Sequence, residues 1–295
     1  VARIARCIGG VEAMEMRFVQ GWRAVAIAVA ASLAPAVAHA QAPSVAAPDA
    51  VSEPAAVRQG NVRVSLGMGV ALRPDYAGSR SQTLLPAPLI DLRWRDTLFL
   101  STAGGLPSLG ANLINDSGWR AGPVVRLRFP RQEKANAVLR GMGDVDWTPE
   151  LGGFVEYRAG FFRLGGEIRR GVGDHDGVVA ELRADAVTRP ADGLTLSFGP
   201  RLNLGDESFT RRYFGVDALQ SARTGYPVHR PAGGVTSVGA AVFASYALTS
   251  RLSLTGIVEF NRLQGGAADS PLVRGGRGDP NQVFTALSLT YSFGW

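Results

Sequence analysis

Val283-Phe284-Thr285-Ala286-Leu287-Ser288-Leu289-Thr290-Tyr291-Ser292-Phe293-Gly294-Trp295 alternates. Val283, Leu287, Leu289, Tyr291, Phe293 and Trp295 fall on one parity, with Thr285 the one weak position. Ala286, Ser288, Thr290, Ser292 and Gly294 fall on the other. A period of two makes a strand with one greasy face and one small or polar face. The stretch carries no charge. In a soluble protein it reads as a buried sandwich strand or as a sticky edge. In an outer-membrane barrel it closes the cylinder against the first strand, and its aromatics join the interface girdle. The stretches upstream decide between these.

They repeat the pattern. In Asn61–Arg73, Val62, Val64, Leu66, Met68, Val70 and Leu72 share one face. Further strands are expected over 83–94, 97–103, 119–129, 150–158, 161–170, 178–187, 194–204, 235–248 and 252–263. Pro86 and Pro88 weaken the first of these, because proline removes ladder donors. Most run about ten to thirteen residues, the length a tilted strand needs to cross a bilayer. Gaps alternate in length. Arg95-Asp96, Ala159-Gly160, 190–193 and 249–251 are tight; 74–82, 104–118, 171–177, 205–234 and 264–281 are long. Short periplasmic turns and long outer loops are the habit of transmembrane barrels. The expected fold is all-β, an antiparallel up-and-down transmembrane barrel.

Parity sets the strand count. Arg95-Asp96 and Ala159-Gly160 lie on the same side only if one more strand separates Phe129 from Glu150. Ala137–Met142 is the candidate that this reading selects. Counting it gives about twelve strands, with ten as the fallback if two weak ones merge.

Composition agrees. No run of eighteen apolar residues occurs, so no helix is expected to span a bilayer. The net charge is +6. Residues 1–40 hold four Arg and two Glu, so the remainder carries +4. The Arg are scattered along strands near acids rather than clustered, which argues against nucleic acid as a partner. Cys7 is the only cysteine, so no disulfide is expected.

The amino-terminal part reads as an address. Arg17 and Arg23 form a positive region, 24–33 is apolar, and Ala38-His39-Ala40 is a small-x-small cleavage site. The signal peptide is expected over 16–40, with a start at Met16 or Met14 and 1–15 as a mis-assigned upstream segment. Cys7 precedes the apolar region and cannot be a lipid anchor. Residues 41–60, rich in Pro and Ala, read as a flexible periplasmic tail. The barrel itself is expected over 61–295.

Several loop motifs carry a resemblance. Pro74-Asp75-Tyr76-Ala77-Gly78-Ser79 follows the first strand. Gly141-Met142-Gly143-Asp144-Val145-Asp146 precedes Glu150-Leu151-Gly152-Gly153-Phe154. His175-Asp176-Gly177, Phe214-Gly215-Val216 and Asp269-Ser270-Pro271 come later. In this order and spacing the chain resembles the MipA/OmpV family of outer-membrane proteins. The ending Gly294-Trp295 departs from its pattern slightly. The resemblance implies a barrel in the outer membrane of a Gram-negative bacterium, with outer-membrane lipids and the barrel-assembly machinery as partners. One member is regarded as a scaffold linking a lytic transglycosylase to a murein synthase, and others are discussed as adhesins or stress proteins. No catalytic residues or cofactors transfer.

Two further features invite chemistry. His175 lies between Asp174 and Asp176, which reads either as a rim hydrolase or metal site or as a polar turn. An EF-hand loop is excluded by the spacing of the acids. Inward strand positions hold Arg158, Arg163, Glu167, Arg169, Glu181, Arg183 and Asp185. Glu167 with Arg183, and Arg169 with Glu181, are the expected cross-strand pairs. They make either a self-neutralising, water-bathed interior or a lumen that selects charged solutes. The function expected first is therefore a scaffold for peptidoglycan-remodelling enzymes, touching them through the 41–60 tail and the turn at 130–136. The alternative is a narrow channel with an Arg-rich lumen. Adhesin and rim hydrolase are further readings. Leu289, Tyr291, Phe293 and Trp295 are expected to be read during barrel assembly.

Overall fold

The computed structural model describes residues 61–103 and 105–295. The expected signal peptide and the 41–60 tail lie outside the described residues. The strands are β1 (Val62–Pro74), β2 (Gln82–Trp94), β3 (Leu98–Ser101), β4 (Ser108–Ala111), β5 (Ile114–Asp116), β6 (Trp119–Arg128) and β7 (Thr148–Ala159). They continue with β8 (Phe162–Gly171), β9 (Val178–Ala191), β10 (Leu194–Gly205), β11 (Gly234–Ala247), β12 (Leu252–Leu263) and β13 (Asn281–Gly294). Neighbours pair antiparallel around the ring, β4 joins β6, and β13 closes on β1. Short β5 pairs only with β6, so twelve strands make the closed wall.

The closing seam is the one expected. Val64 lies opposite Phe293, Leu66 opposite Tyr291 and Met68 opposite Leu289. The Val62 and Trp295 backbones exchange two hydrogen bonds of 3.1 Å. Exposure follows parity around the wall. Met68 is 62% exposed, Ile168 59% and Val258 51%, whereas Arg169 and Glu259 are 1%. The apolar positions therefore face outward and the charges inward, as a membrane barrel requires. A few apolar residues break the binary pattern. Phe284 turns inward and packs with Ala71, Ala241 and Phe243.

The twelfth strand is not where the parity argument put it. Residues 137–142 form no strand. Asn136 caps a 3-10 turn over Ala137–Leu139 by accepting from the Val138 N–H. Leu139 and Met142, three residues apart, are both drawn into an apolar cluster, with Leu139 fully buried. The missing strand is β4, four residues inside the stretch read as a loop. This also moves 130–136 away from the short turns. It lies at the long-loop end, where Arg131 is buried and the Asn136 amide donates to Asp75 at 2.8 Å.

The brevity of β3 and β4 explains the prolines of β2. The Ile90 N–H takes its acceptor from Thr102, on the β3 side. By alternation Pro86 and Pro88 face that same side, beyond the end of β3, where the wall offers no ladder partner. Proline is tolerated at such an unpaired edge and leaves fewer stranded donors there. The tight turns are equally local. Gly160 and Gly193 have φ of +57° and +74°, the left-handed region that glycine enters without a Cβ clash.

Candidate functional site

The long connections do not splay. They fold into one lid at the loop end. Residues 206–233, read from sequence as a loop, contain α1 (Glu207–Phe214) and α2 (Ala218–Thr224). Asp206 caps α1 by accepting from the Phe209 N–H, and Asp217 with Gln220 forms a capping box on α2. A short turn, α3 (Gly265–Ala268), lies in the last loop. Such caps satisfy the open N–H groups of short helices.

Two apolar clusters hold the lid. In the first, Phe209, Tyr213, Phe214, Val145, Ala267 and Val273 pack on Val179 and Leu263, which project inward from the wall. The loops therefore reach across the barrel mouth. In the second, Tyr76, Leu139, Met142, Val216 and Leu272 pack together.

The motif residues scattered along the sequence meet here. Pro74 ends β1, and Asp75 accepts from Thr83 at 2.6 Å. The Tyr76 hydroxyl donates to the Leu272 carbonyl at 2.9 Å, and burial pushes its pKa up. The Gly78 N–H donates to Gln282 at 2.9 Å, and Ser79 bridges to Gly278. The Gly143 N–H donates to Glu133, and Asp144 accepts from the Glu133 N–H. The Asp146 N–H donates to Asp174, which also pairs with Arg212. Asp176 accepts from Ser208. A Cβ on Gly177 would lie 2.4 Å from the Phe209 nitrogen, so only glycine lets α1 approach. Phe214 ends α1, Gly215 caps it, and buried Val216 bridges to His229. The Ser270 hydroxyl donates to the Phe214 carbonyl at 2.6 Å, between Asp269, which pairs with Arg274, and buried Pro271.

Arg131, expected with Glu133 and Lys134 to form a contact cluster in a periplasmic turn at 130–136, is instead buried among these loops. It donates to the Tyr213 carbonyl at 2.9 Å. Burial lowers its pKa to about 10 and raises that of Tyr213 to about 12.

Lid and lumen meet at Glu150. Its buried carboxylate accepts from Arg128, from Arg169 at 2.9 Å and from His175 at 3.2 Å. The Arg128 guanidinium lies under the Phe209 and Tyr213 rings, 5.0 and 5.8 Å from their centroids. His175 stands edge-on to the same two rings. It is thus a buried pin between wall and lid rather than a plain polar turn. A pocket of about 70 Å³ under α1, lined by Arg128, Glu181, Asn203, Phe209 and Tyr213, has room for a few water molecules only. Among the described residues no three metal-ligating side chains gather.

Below this lies a chain of ion pairs on β6–β10. Arg169 holds Glu150, Glu167 and Glu181 at once. Arg126 takes Glu167 through two bonds of 2.6 and 2.8 Å. Glu156 takes Arg158 and Arg183, and Asp185 takes Arg201. The expected Arg169–Glu181 pair forms. The expected Glu167–Arg183 pair does not, because Gly165 rather than Glu167 lies opposite Arg183. These groups are also far more buried than a water-bathed interior suggests. The opposite wall is unlike this one. Ser245, Ser253, Thr255, Thr290 and Ser292 line it with small hydroxyls.

A sequence model described as MltA-interacting protein MipA matches residues 66–293. No curated protein matches the chain. Among solved structures, similarity extends to an outer-membrane channel from Pseudomonas putida F1, at 11% identity and a TM-score of 0.45 over 84% of this chain and 100% of that one. It extends also to the outer-membrane protein OprD from Pseudomonas aeruginosa, at 14% identity and a TM-score of 0.36 over 80% of this chain and 65% of that one. The CymD monoaromatic hydrocarbon channel is similar at 11% identity and a TM-score of 0.38, over 80% and 90%.

Proposed function

The chain belongs to the MltA-interacting protein MipA family and is a barrel of the Gram-negative outer membrane, and from that premise we propose that it is a structural platform for peptidoglycan-remodelling enzymes. One observation carries the reading: all the long loops at one end are spent on one another. A surface whose side chains are buried in a common core is stiff. At the short-turn end Trp119 packs at a tilt against Tyr157, ring centroids 4.5 Å apart, and the Tyr291, Phe293 and Trp295 rings run in series. An aromatic girdle anchors that end at the membrane interface. The 41–60 tail would extend from it into the periplasm, once the 16–40 signal is removed. The family description names an interaction with MltA, so the partner sought is a lytic transglycosylase, alone or with a murein synthase. Residues 130–136 have no part in this contact, because they belong to the lid. An affinity pull-down of the full chain from detergent extract is expected to recover such an enzyme and to lose it when 41–60 is deleted. Recovery of no murein enzyme would sink the proposal.

A second reading, a narrow channel for small solutes, is favoured by the excess of Arg on the short-turn half of β7–β10, where Arg158, Arg163, Arg183 and Arg201 face Glu156 and Asp185. Single-channel recording in planar bilayers tests it. A steady conductance altered by Arg169→Gln or Arg183→Gln supports it, and an electrically silent barrel overturns it.

A further inference from the structure

We infer that the interior wall of β7–β10, on the short-turn side of the Arg169 cluster, holds a binding site for a small oxyanion. Four arginines come from four consecutive strands there: Arg158, Arg163, Arg183 and Arg201. Register places Arg158 directly opposite Arg163 and Arg183 directly opposite Arg201. Like charges directly opposite one another destabilise a sheet, and here two such pairs are adjacent.

The protein supplies only half of the compensation. Glu156 is taken by Arg158 at 2.6 Å and Arg183 at 2.7 Å, and Asp185 lies 2.7 Å from Arg201. Arg163 is 4% exposed, yet its Nε and Nη1 have no hydrogen-bond partner. Arg201 is 6% exposed, and its Nε and Nη2 have none. Buried guanidinium donors without acceptors are rare, because each forfeits its hydration.

The lid-side half of the same wall shows the contrast. There Glu167 lies opposite Glu181, an equally unfavourable pair. Arg169 is placed to bond both, with Arg126 added on Glu167. The chain thus balances the acidic pair from its own side chains and balances the arginine pairs only in part. Asp185 lies opposite Arg163 and against Arg201, and its two oxygens lack hydrogen bonds as well. Glu156 and Asp185 are thus two acids to four guanidiniums, and an added negative group would offset the excess. Guanidinium forks match phosphate and carboxylate oxygens in bidentate geometry, so an oxyanion fits better than chloride. This site stands on the wall geometry alone, and it holds whether the barrel conducts or serves as a platform.

The test uses the purified full chain folded in detergent. The midpoint of heat unfolding, read as the loss of the fast-migrating gel form, is followed against inorganic phosphate and against chloride at equal ionic strength. Wild type is expected to show a saturable rise with phosphate that chloride does not reproduce. Arg163→Gln and Arg201→Gln are each expected to raise the phosphate concentration needed at least tenfold. Arg212→Gln, in the lid, is expected to leave the response intact. If one lumen variant does not fold, the other reads the site. Absence of a phosphate-specific rise in wild type overturns the inference, as does a rise that survives both lumen substitutions. A pull-down without murein enzymes would leave this result untouched, so the two proposals fail separately.

Discussion

Glu150→Ala is the perturbation whose size distinguishes a dry interior from a wet one. Glu150 has no exposed surface, and it receives Arg128, Arg169 and His175. After the change Arg169 keeps Glu167 and Glu181. Arg128 loses the one carboxylate that it pairs with and keeps only the faces of Phe209 and Tyr213. A desolvated cation–π contact is worth about 2 kcal/mol, which does not replace a buried carboxylate. Stranding one partner of a buried pair costs about 3–5 kcal/mol, whereas losing a solvated pair costs about 0–1 kcal/mol. The expected loss is therefore about 3–5 kcal/mol. The double variant Glu150→Ala with Arg128→Met is expected to recover about 2 kcal/mol of it, because no charge is then stranded. Urea unfolding of the barrel in lipid vesicles, followed by tryptophan fluorescence and gel mobility, measures both. A single-variant loss below about 1 kcal/mol, or strict additivity in the double variant, would refute the picture of a dry charge network joining lid to wall.

Three further outcomes are expected. Leu272→Ala empties a fully buried position of the second lid cluster, at a local cost of about 2–5 kcal/mol. Limited proteolysis should then cut within 264–280 while the strands stay protected, and unchanged resistance would contradict the packed lid. Phe293→Ala with Trp295→Ala removes the stacked pair at the closing seam; outer-membrane levels should fall, and normal levels of the double variant would refute that role. Asp174 supplies a pH dependence in the lid. Partial burial opposes its ionisation, but the bonds from Arg212 and from the Asp146 N–H outweigh this and hold its pKa below the ordinary aspartate value. A depressed folded-state pKa contributes stability above the unfolded value, and that stability is lost as pH falls through the folded one. Amide protection in 172–177, taken relative to the intrinsic exchange rate at each pH, should therefore hold down to about pH 4 and fall below it; protection that does not change with pH there would count against the Asp174 tie.

The wall was legible because its physics is local. A period of two and a lipid-facing demand for apolar groups write themselves onto every long strand, so Met68, Ile168 and Val258 declare their face without a partner in view. The closing pair β1–β13 followed from the same rule. Four-residue β4 escaped because it is too short to show a period. Ala137–Met142 misled because an apolar residue at every third position can be mistaken for a weak strand.

The inward charges were likewise visible as Arg and Glu of one parity. Their pairing was not, since a shift of two residues changes every partner, and only the register sets Gly165 opposite Arg183. The lid was invisible as a unit. Tyr76, Leu139, Phe214 and Leu272 lie far apart in the chain, and nothing local tells a buried loop residue from an exposed one. The sequence by itself thus determined a twelve-strand membrane wall with a greasy outside and a charged inside. Only the tertiary structure decided that the loops are spent on a common core, that His175 is a pin under that core, and that the arginines on the short-turn half of β7–β10 face one another across the strands. Alternation is read along one strand, whereas burial and charge balance depend on which strands and loops meet.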